Sequence, residues 1–365
     1  MKLSIKTVVF QELVSRAIKG ASQNKLIPLT SLMAIEVKAG TLRLITTDAS
    51  NYLYIRQDGV AGDDFYVVVP VEQFSKLISK MTSENLTLEL DDASLTVKGN
   101  GTYKIELTLD EEGNLIQYPD PVATELMTSN PKDTKTIKLT TVKTILNTNK
   151  AALALTMENP QYTGYYVADK VVSTDSYKIC CLNVPVFDEP VLIAPESMNL
   201  LDVMTVEDID VDIFEDVMVF GSKDCTVYAH KMEGIKDFNI QAIQGCLDEE
   251  FTSSCKVSKT ELLAALDRIS LFVGKYDNNA VNLTFTEKGL NISSPASTGS
   301  ETLEYMDSQN FVPYDYRLHI GMLQQQIKAY AADSVLIKYG NEAFVKFVDG
   351  NVVQILSTLV DETEE

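Results

Sequence analysis

Three carboxylates, Asp208, Asp210 and Asp212, alternate along one short segment. In a strand they share one face, a spacing that suits a divalent cation and metal-assisted hydrolysis. The intervening residues are Ile209, Val211 and Ile213, so the same pattern describes an amphipathic strand with its acids toward water. His230 and His319 stand alone, without HExxH or His-x-His spacing. No Gly-rich phosphate loop and no Gly-x-Ser-x-Gly elbow is present. A hydrolase therefore has little to build with, and neither a metal nor a cofactor is expected. Five cysteines contain no Cys-x-x-Cys pair, and the adjacent Cys180 and Cys181 face opposite sides of a strand. They read as buried thiols of a reducing cytoplasm.

The remaining chemistry lies in cations at helical spacing. At 100° per residue, Lys76 and Lys80 lie opposite Phe74, Ile78 and Met81, and Arg16 and Lys19 lie opposite Phe10 and Val14. Arg268 and Lys275 lie opposite Leu262 and Leu266. Six helical windows, 8–25, 70–83, 140–153, 195–206, 258–275 and 317–332, carry +2, +1, +2, −2, +1 and +2. That is +6 in a chain of net charge −21, which leaves −27 elsewhere. A basic surface made by the helices on an acidic protein suits phosphate contact without base reading.

The elements that must position these residues are mostly strands. Leu86–Leu90 and Leu95–Val97 alternate around Asp91-Asp92-Ala93-Ser94, and Tyr103–Leu109 follows. The layout recurs at 208–228, at 281–305 and at 335–355. A helical stretch precedes each cluster. One opens after Pro70, and another at Ser258-Lys-Thr-Glu261, a capping-box pattern. Weaker helical candidates are Val142–Leu153 and Pro195–Val206. The result is six units of about 60 residues, an internal repeat of architecture with little residue identity. One local echo stands out: Thr46-Thr47-Asp48 and Ser173-Thr174-Asp175 each end a strand. Tyr118–Asp133 and Gln244–Ser254 read as linkers, which cuts the chain into thirds at 1–128, 129–248 and 249–365. Among 365 residues no apolar run reaches the ~18–20 of a membrane span, and the alternating start Met1–Lys6 contains no signal-peptide core.

This order of elements resembles the bacterial DNA polymerase III beta subunit, the beta sliding clamp, over essentially the whole chain and at low identity. Val68-Val-Pro-Val-Glu-Gln-Phe-Ser-Lys-Leu-Ile78 is similar to that family's strand, proline and second helix, and Leu86–Val97 to the hairpin that follows. Thr163-Gly-Tyr165 with Val172-Ser-Thr-Asp-Ser-Tyr-Lys-Ile179 is similar to the middle-domain segment N-G-V…V-A-T-D-G-H-R-L, and 258–272 to the first helix of the third domain. The resemblance implies an α+β fold of three similar domains, each of two βαβββ halves. It implies antiparallel sheets outside, helices lining a ring, and a head-to-tail homodimer around duplex DNA. The function implied is processivity in DNA replication: a non-catalytic, cytoplasmic, nucleoid-associated ring. It binds DNA without sequence preference and binds peptides of the DNA polymerase III alpha subunit, the clamp loader and other proteins.

For DNA contact the expected residues are Lys25, Lys76, Lys80, Lys143, Lys150, Lys259, Arg268 and Lys328, of which Lys25 stands where the family has a basic loop residue. Carried over by position, the peptide pocket would take Tyr162, Thr174, Ser176, Tyr177, Lys178 and Ile179 from the middle third, with Ile240 and Gln241 from the segment after Lys236-Asp237-Phe238. Tyr276, Met322 and Phe344 would join from the last third, with Ile355, Leu356, Ser357, Thr358 and Leu359 from the final strand. The dimer seam would set Tyr103, Ile105 and Leu107 against Leu271 and Phe272. Three departures stand against the family pattern, one of them a shortened hairpin between Tyr166 and Val172. Gly-His-Arg-Leu is Ser176-Tyr177-Lys178-Ile179 here, and Met-Pro-Met-Arg-Leu is replaced by Leu356-Ser-Thr-Leu-Val360 before the acidic Asp361–Glu365. A decoy that keeps the pocket without encircling DNA is the rival reading.

Overall fold

The structure is a computed structural model and describes residues 1–22, 26–109, 112–124, 126 and 129–359. Among these the helices are α1 (Thr7–Ala17), α2 (Val71–Ser79), α3 (Pro121–Thr124), α4 (Leu139–Thr148), α5 (Pro195–Leu201), α6 (Ile240–Asp248), α7 (Lys259–Ile269) and α8 (Ile320–Lys328). The chain divides into two compact units. Met1–Val142 with Glu196–Lys231 form the first, and Lys143–Pro195 with Met232–Glu365 form the second.

The first unit holds two antiparallel sheets. One orders the strands Ala61–Gly62, Lys2–Lys6, Asn85–Leu90, Ser94–Lys98 and Thr102–Glu106. The other has eight strands, in which Asn51–Asp58 pairs with Cys225–His230, so segments far apart in sequence share one sheet. Helices α1 and α2 bury Phe10, Leu13, Val14, Phe74 and Ile78, with the Phe10 and Phe74 rings edge to face at 6.0 Å. Gln11 Nε2 donates to the carbonyls of Ile78 and Met81 at 2.9 Å, tying α1 to the end of α2. Pro70 ends strand Phe65–Pro70 as the N-cap residue of α2, one position ahead of the first turn.

The second unit holds a nine-stranded sheet, in which Lys178–Leu182 pairs with Val352–Ser357, and a four-stranded sheet. Its main core gathers Leu262, Leu266, Leu323 and Ile327 from α7 and α8 over Phe285, Tyr316, Tyr339 and Phe347. One capping chemistry starts four helices. Asp120 Oδ1 accepts from Ala123 N, Asn239 Oδ1 from Ala242 N, Ser258 Oγ from Glu261 N, and His319 Nδ1 from Met322 N.

Two segments that read as linkers are structured. Tyr118 is buried in a core with Leu32, Tyr54 and Tyr228, and α3 follows it. Gln244–Asp248 belongs to α6, whose Ile243 is buried. Turn-rich composition masked both, because the helices are too short for a strong period.

Candidate functional site

The acidic strand answers its neighbour rather than a metal. Lys138 Nζ pairs with Asp208, Thr136 Oγ1 donates to Asp210 at 3.2 Å, and Thr134 Oγ1 donates to Asp212 at 3.0 Å. The bond to Asp208 raises the Lys138 pKa, as a carboxylate beside an ammonium must.

The helix cations divide into held and free. Arg268 is bidentate to Glu301 at 2.7 and 2.6 Å, which raises the guanidinium pKa and lowers that of the carboxyl. Lys259 Nζ bonds the backbone carbonyls of Lys328 and Tyr330 at the end of α8. Lys76 pairs with Glu72 one turn away at 2.5 Å. Arg16, expected on an open basic face, is mostly buried. Its Nη1 lies 2.7 Å from Asp224, and its Nε donates to Val203 O at 3.0 Å. A helical wheel locates a side chain's origin; it does not show the acid within reach of a long one. Lys80, Lys143, Lys150 and Lys328 are exposed and have no ion-pair partner among the described residues. Lys150 and Lys328 rim one cleft of about 430 Å³ in the second unit, with Leu146, Leu153 and Leu155. Lys25 lies outside the described residues.

The Thr-Asp echo is one turn built twice. In the first unit Asp48 Oδ1 accepts from Ser50 N (2.9 Å) and Asn51 N (2.7 Å), Thr47 Oγ1 accepts from Ala49 N (3.0 Å), and Thr46 Oγ1 donates to Ala17 O (2.6 Å). In the second unit Asp175 Oδ1 accepts from Tyr177 N (3.0 Å) and Lys178 N (2.7 Å), Thr174 Oγ1 accepts from Ser176 N (3.1 Å), and Ser173 Oγ donates to Asn149 O (2.7 Å). Ala49 (φ 86°) and Ser176 (φ 78°) take the same left-handed conformation, one that favours glycine. The repeat is therefore visible atom by atom where residue identity is slight.

Thr174 pairs with Ile179 and Ile179 with Ile355, so all three share one face of the nine-stranded sheet. There Ile179, Tyr162 and Ile240 pack around Phe238, whose ring meets Tyr162 at 5.3 Å and Tyr166 at 4.9 Å. Gln241 is exposed next to Ile240, and Tyr177 is 63% exposed on the turn with Ser176. Lys178 and Leu356 point to the opposite face, since neighbours in a strand alternate. Lys178 is buried, with Nζ 3.2 Å from Asp175, 2.7 Å from Ala151 O and 3.4 Å from Gln325. Leu356 and Met322 pack into the core of α7 and α8. Phe344 pairs with Ser357 and packs on Phe251 at 5.7 Å. Thr358 N and Leu359 N donate to Ala343 O and Arg317 O. Tyr276 is fully exposed on the turn Lys275–Asp277. The structure thus joins Tyr162, Thr174, Ile179, Ile240 and Ile355, and turns Lys178, Leu356 and Met322 elsewhere.

Sequence reasoning missed Phe238, the hub of that cluster, and Lys346. The buried Lys346 ammonium bonds Leu247 O (2.9 Å) and Glu249 O (2.6 Å), tying down the end of α6, and burial lowers its pKa. A lysine inside the apolar run Phe344–Phe347 was the available signal. Of the seam residues, Ile105 is buried and Tyr103 exposed on the edge strand Thr102–Glu106 of the five-stranded sheet, and Leu107, just past its end, is half-buried. Leu271 and Phe272 are exposed on the turn after α7.

These sheets and helices compose the α+β fold of a DNA clamp. Over nearly the whole chain it is the fold of the DNA polymerase III beta subunits. The beta subunit of Streptococcus pyogenes DNA polymerase superposes with a TM-score of 0.85 at 19% identity, covering 98% of this chain and 100% of that one. The sliding clamp of Bacillus subtilis gives 0.82 at 17%, covering 99% of each. The beta subunit of Borrelia burgdorferi, solved in complex with a natural product, gives 0.83 at 16%, covering 99% and 100%. No family model matches the sequence, and no curated protein does. Among the described residues no helix is long and apolar enough to cross a membrane.

Proposed function

We propose that this protein is a DNA sliding clamp. Two copies close head to tail, with the edge strand bearing Tyr103 set against the turn bearing Leu271 and Phe272. Each copy contributes three domains, 1–128, 129–248 and 249–365. The ring confers processivity on a replicative polymerase and performs no catalysis itself. It acts in the cytoplasm on nucleoid DNA. The alpha subunit of DNA polymerase III and the clamp loader are its partners, through peptides seated against Tyr162, Ile179, Ile240 and Ile355. Free lysines at Lys80, Lys143, Lys150 and Lys328 make the phosphate contacts. The observation that carries this reading is a clamp fold matched end to end on both chains.

Light scattering tests it directly. A mass near twice 40.4 kDa at micromolar concentration is the expected result. With a clamp loader, the protein should stay on closed circular DNA through gel filtration and leave when the circle is cut. A monomer that binds polymerase peptides and never loads is the decoy instead.

A further inference from the structure

One wall of the isoleucine cluster is a short helix held from outside itself. Helix α6 turns Ile240, Ile243 and Leu247, at spacings of three and four, toward Phe238 and Ile179. Asn239 caps its start, and Lys170 Nζ donates to Gln244 Oε1 at 2.6 Å along its length. The last carbonyls of a helix have no partner within it, and here Lys346 supplies one. Thr174 pairs with Ile179, Ile179 with Ile355, and Ile355 with Lys346, so the four form one row on one face of the nine-stranded sheet. Lys346 is 5% exposed. Its Nζ donates to Leu247 O at 2.9 Å and Glu249 O at 2.6 Å, and stands 5.0 Å from the centre of the Phe251 ring. Two carbonyls and a ring face account for the three donors of an ammonium, so this charge is not free for a ligand.

We propose that Lys346 is a positioning residue of the peptide pocket: it clasps α6 to the row of Ile179 and Ile355, so that the wall bearing Ile240 is formed before a peptide arrives. The clasp is a matter of hydrogen bonds and register; the peptide it serves rests on the sliding-clamp reading. Without the ammonium, Leu247 O and Glu249 O lose their partner and must turn to water, which lifts the end of α6. A pocket with a lifted wall binds in proportion to the fraction of molecules still closed. Lys346 therefore acts through α6, on the readiness of the pocket, and not by touching the peptide.

Stopped-flow polarisation on the full chain, with labelled Gln-Leu-Ser-Leu-Phe as the probe, tests the role. Lys346→Met should slow association about tenfold and leave dissociation unchanged, because it penalises the formed wall equally in the transition state and in the complex. Ile179→Ala, which alters the surface the peptide touches, should instead speed dissociation. Hydrogen exchange at amides 244–248 should quicken about tenfold in Lys346→Met, and saturating probe should restore it, since the coupling is reciprocal. Phe251→Leu keeps the ammonium and both carbonyls and removes only the ring. It should shift the same association and exchange rates about threefold, and it decides the matter if Lys346→Met does not fold. Unchanged association, or a loss carried by dissociation alone, overturns the proposal and leaves the peptide reading in place. Wild type that fails to bind the probe removes the peptide reading, and the proposal with it.

Discussion

The twice-built turn allows a matched experiment, because its two copies differ in one charge. Asp175 and Asp48 each accept two backbone amides, but Asp175 faces the buried ammonium of Lys178 and Asp48 faces the neutral amide of Asn51 (2.9 Å). Asp48→Ala removes three hydrogen bonds at ~1 kcal/mol each, so about 2–3 kcal/mol. Asp175→Ala removes two such bonds and leaves an ammonium, 5% exposed in its side chain, without its carboxylate. Breaking one partner of a buried pair costs about 3–5 kcal/mol, so the total is about 5–7 kcal/mol. Carbonyl contacts from Ala151 O at 2.7 Å and Gln325 at 3.4 Å remain and set the cost toward its lower end. Native-state hydrogen exchange reads each site locally, at the amides of Cys180 and Leu182 for one and Leu53 and Ile55 for the other. The expected opening free energies differ by about 3 kcal/mol between the two variants. Adding Lys178→Met to Asp175→Ala should recover most of that difference, since a methionine of similar length needs no counter-ion. Equal losses at the two turns, or no recovery with Lys178→Met, would refute the reasoning.

Thiol titration of the native protein should label Cys246, which is half-exposed, and spare the others. Burial pushes Cys180, Cys225 and Cys255 up to about 12 and Cys181 up to about 11. These raised values contribute stability that is complete below the ordinary thiol pKa of 9 and lost as pH rises toward 12, so urea midpoints should fall steadily above pH 9. Burial lowers the His319 pKa below 6.5, and its Nδ1 caps α8 only while unprotonated. That stability is present above pH 6.5 and lost as pH falls through the lowered value, which a smaller protection factor at the Met322 amide at pH 5 than at pH 7 would register. Arg268→Gln should leave duplex binding and its salt dependence nearly unchanged, because Glu301 already holds the guanidinium. Lys150→Glu with Lys328→Glu should flatten the log–log salt slope by about 0.9 for each phosphate no longer neutralised. Equal effects from both sets would overturn the division into held and free cations.

Periodicity made most of the fold legible. The strands at 85–90, 208–213 and 280–286 alternate because one face of each is the more deeply buried, and Ser258 announces α7 by its cap. The site was less legible, for a reason of geometry. Lys178 and Ile179 adjoin in sequence and in the resemblance, yet a period of two sends them through opposite faces of one sheet. Phe238 lies in a segment, Gly234–Asn239, that shows neither strand alternation nor a helical period. Arg16 looked free because its partner, Asp224, comes from a turn far away in sequence, between the strands Val217–Gly221 and Cys225–His230.

That last error bears on how charge is read from any sequence. The windows summed to +6 treat every cation as available, but availability is what remains after intramolecular partners are counted. Arg16, Lys259 and Arg268 hold their own chain together, and Lys76 is offset by Glu72. What is left on the described helices and the turns after them is a sparse set of lysines: Lys19, Lys80, Lys143, Lys150, Lys275 and Lys328. Sparse positive charge favours a protein held on DNA by topology. Each neutralised phosphate strengthens binding and also adds an attachment to break at every step of sliding. A protein that binds duplex DNA by affinity alone needs many such attachments, and a closed ring does not. The two demands point in opposite directions, and the surplus of acid over free base in this chain sits on the side of the ring.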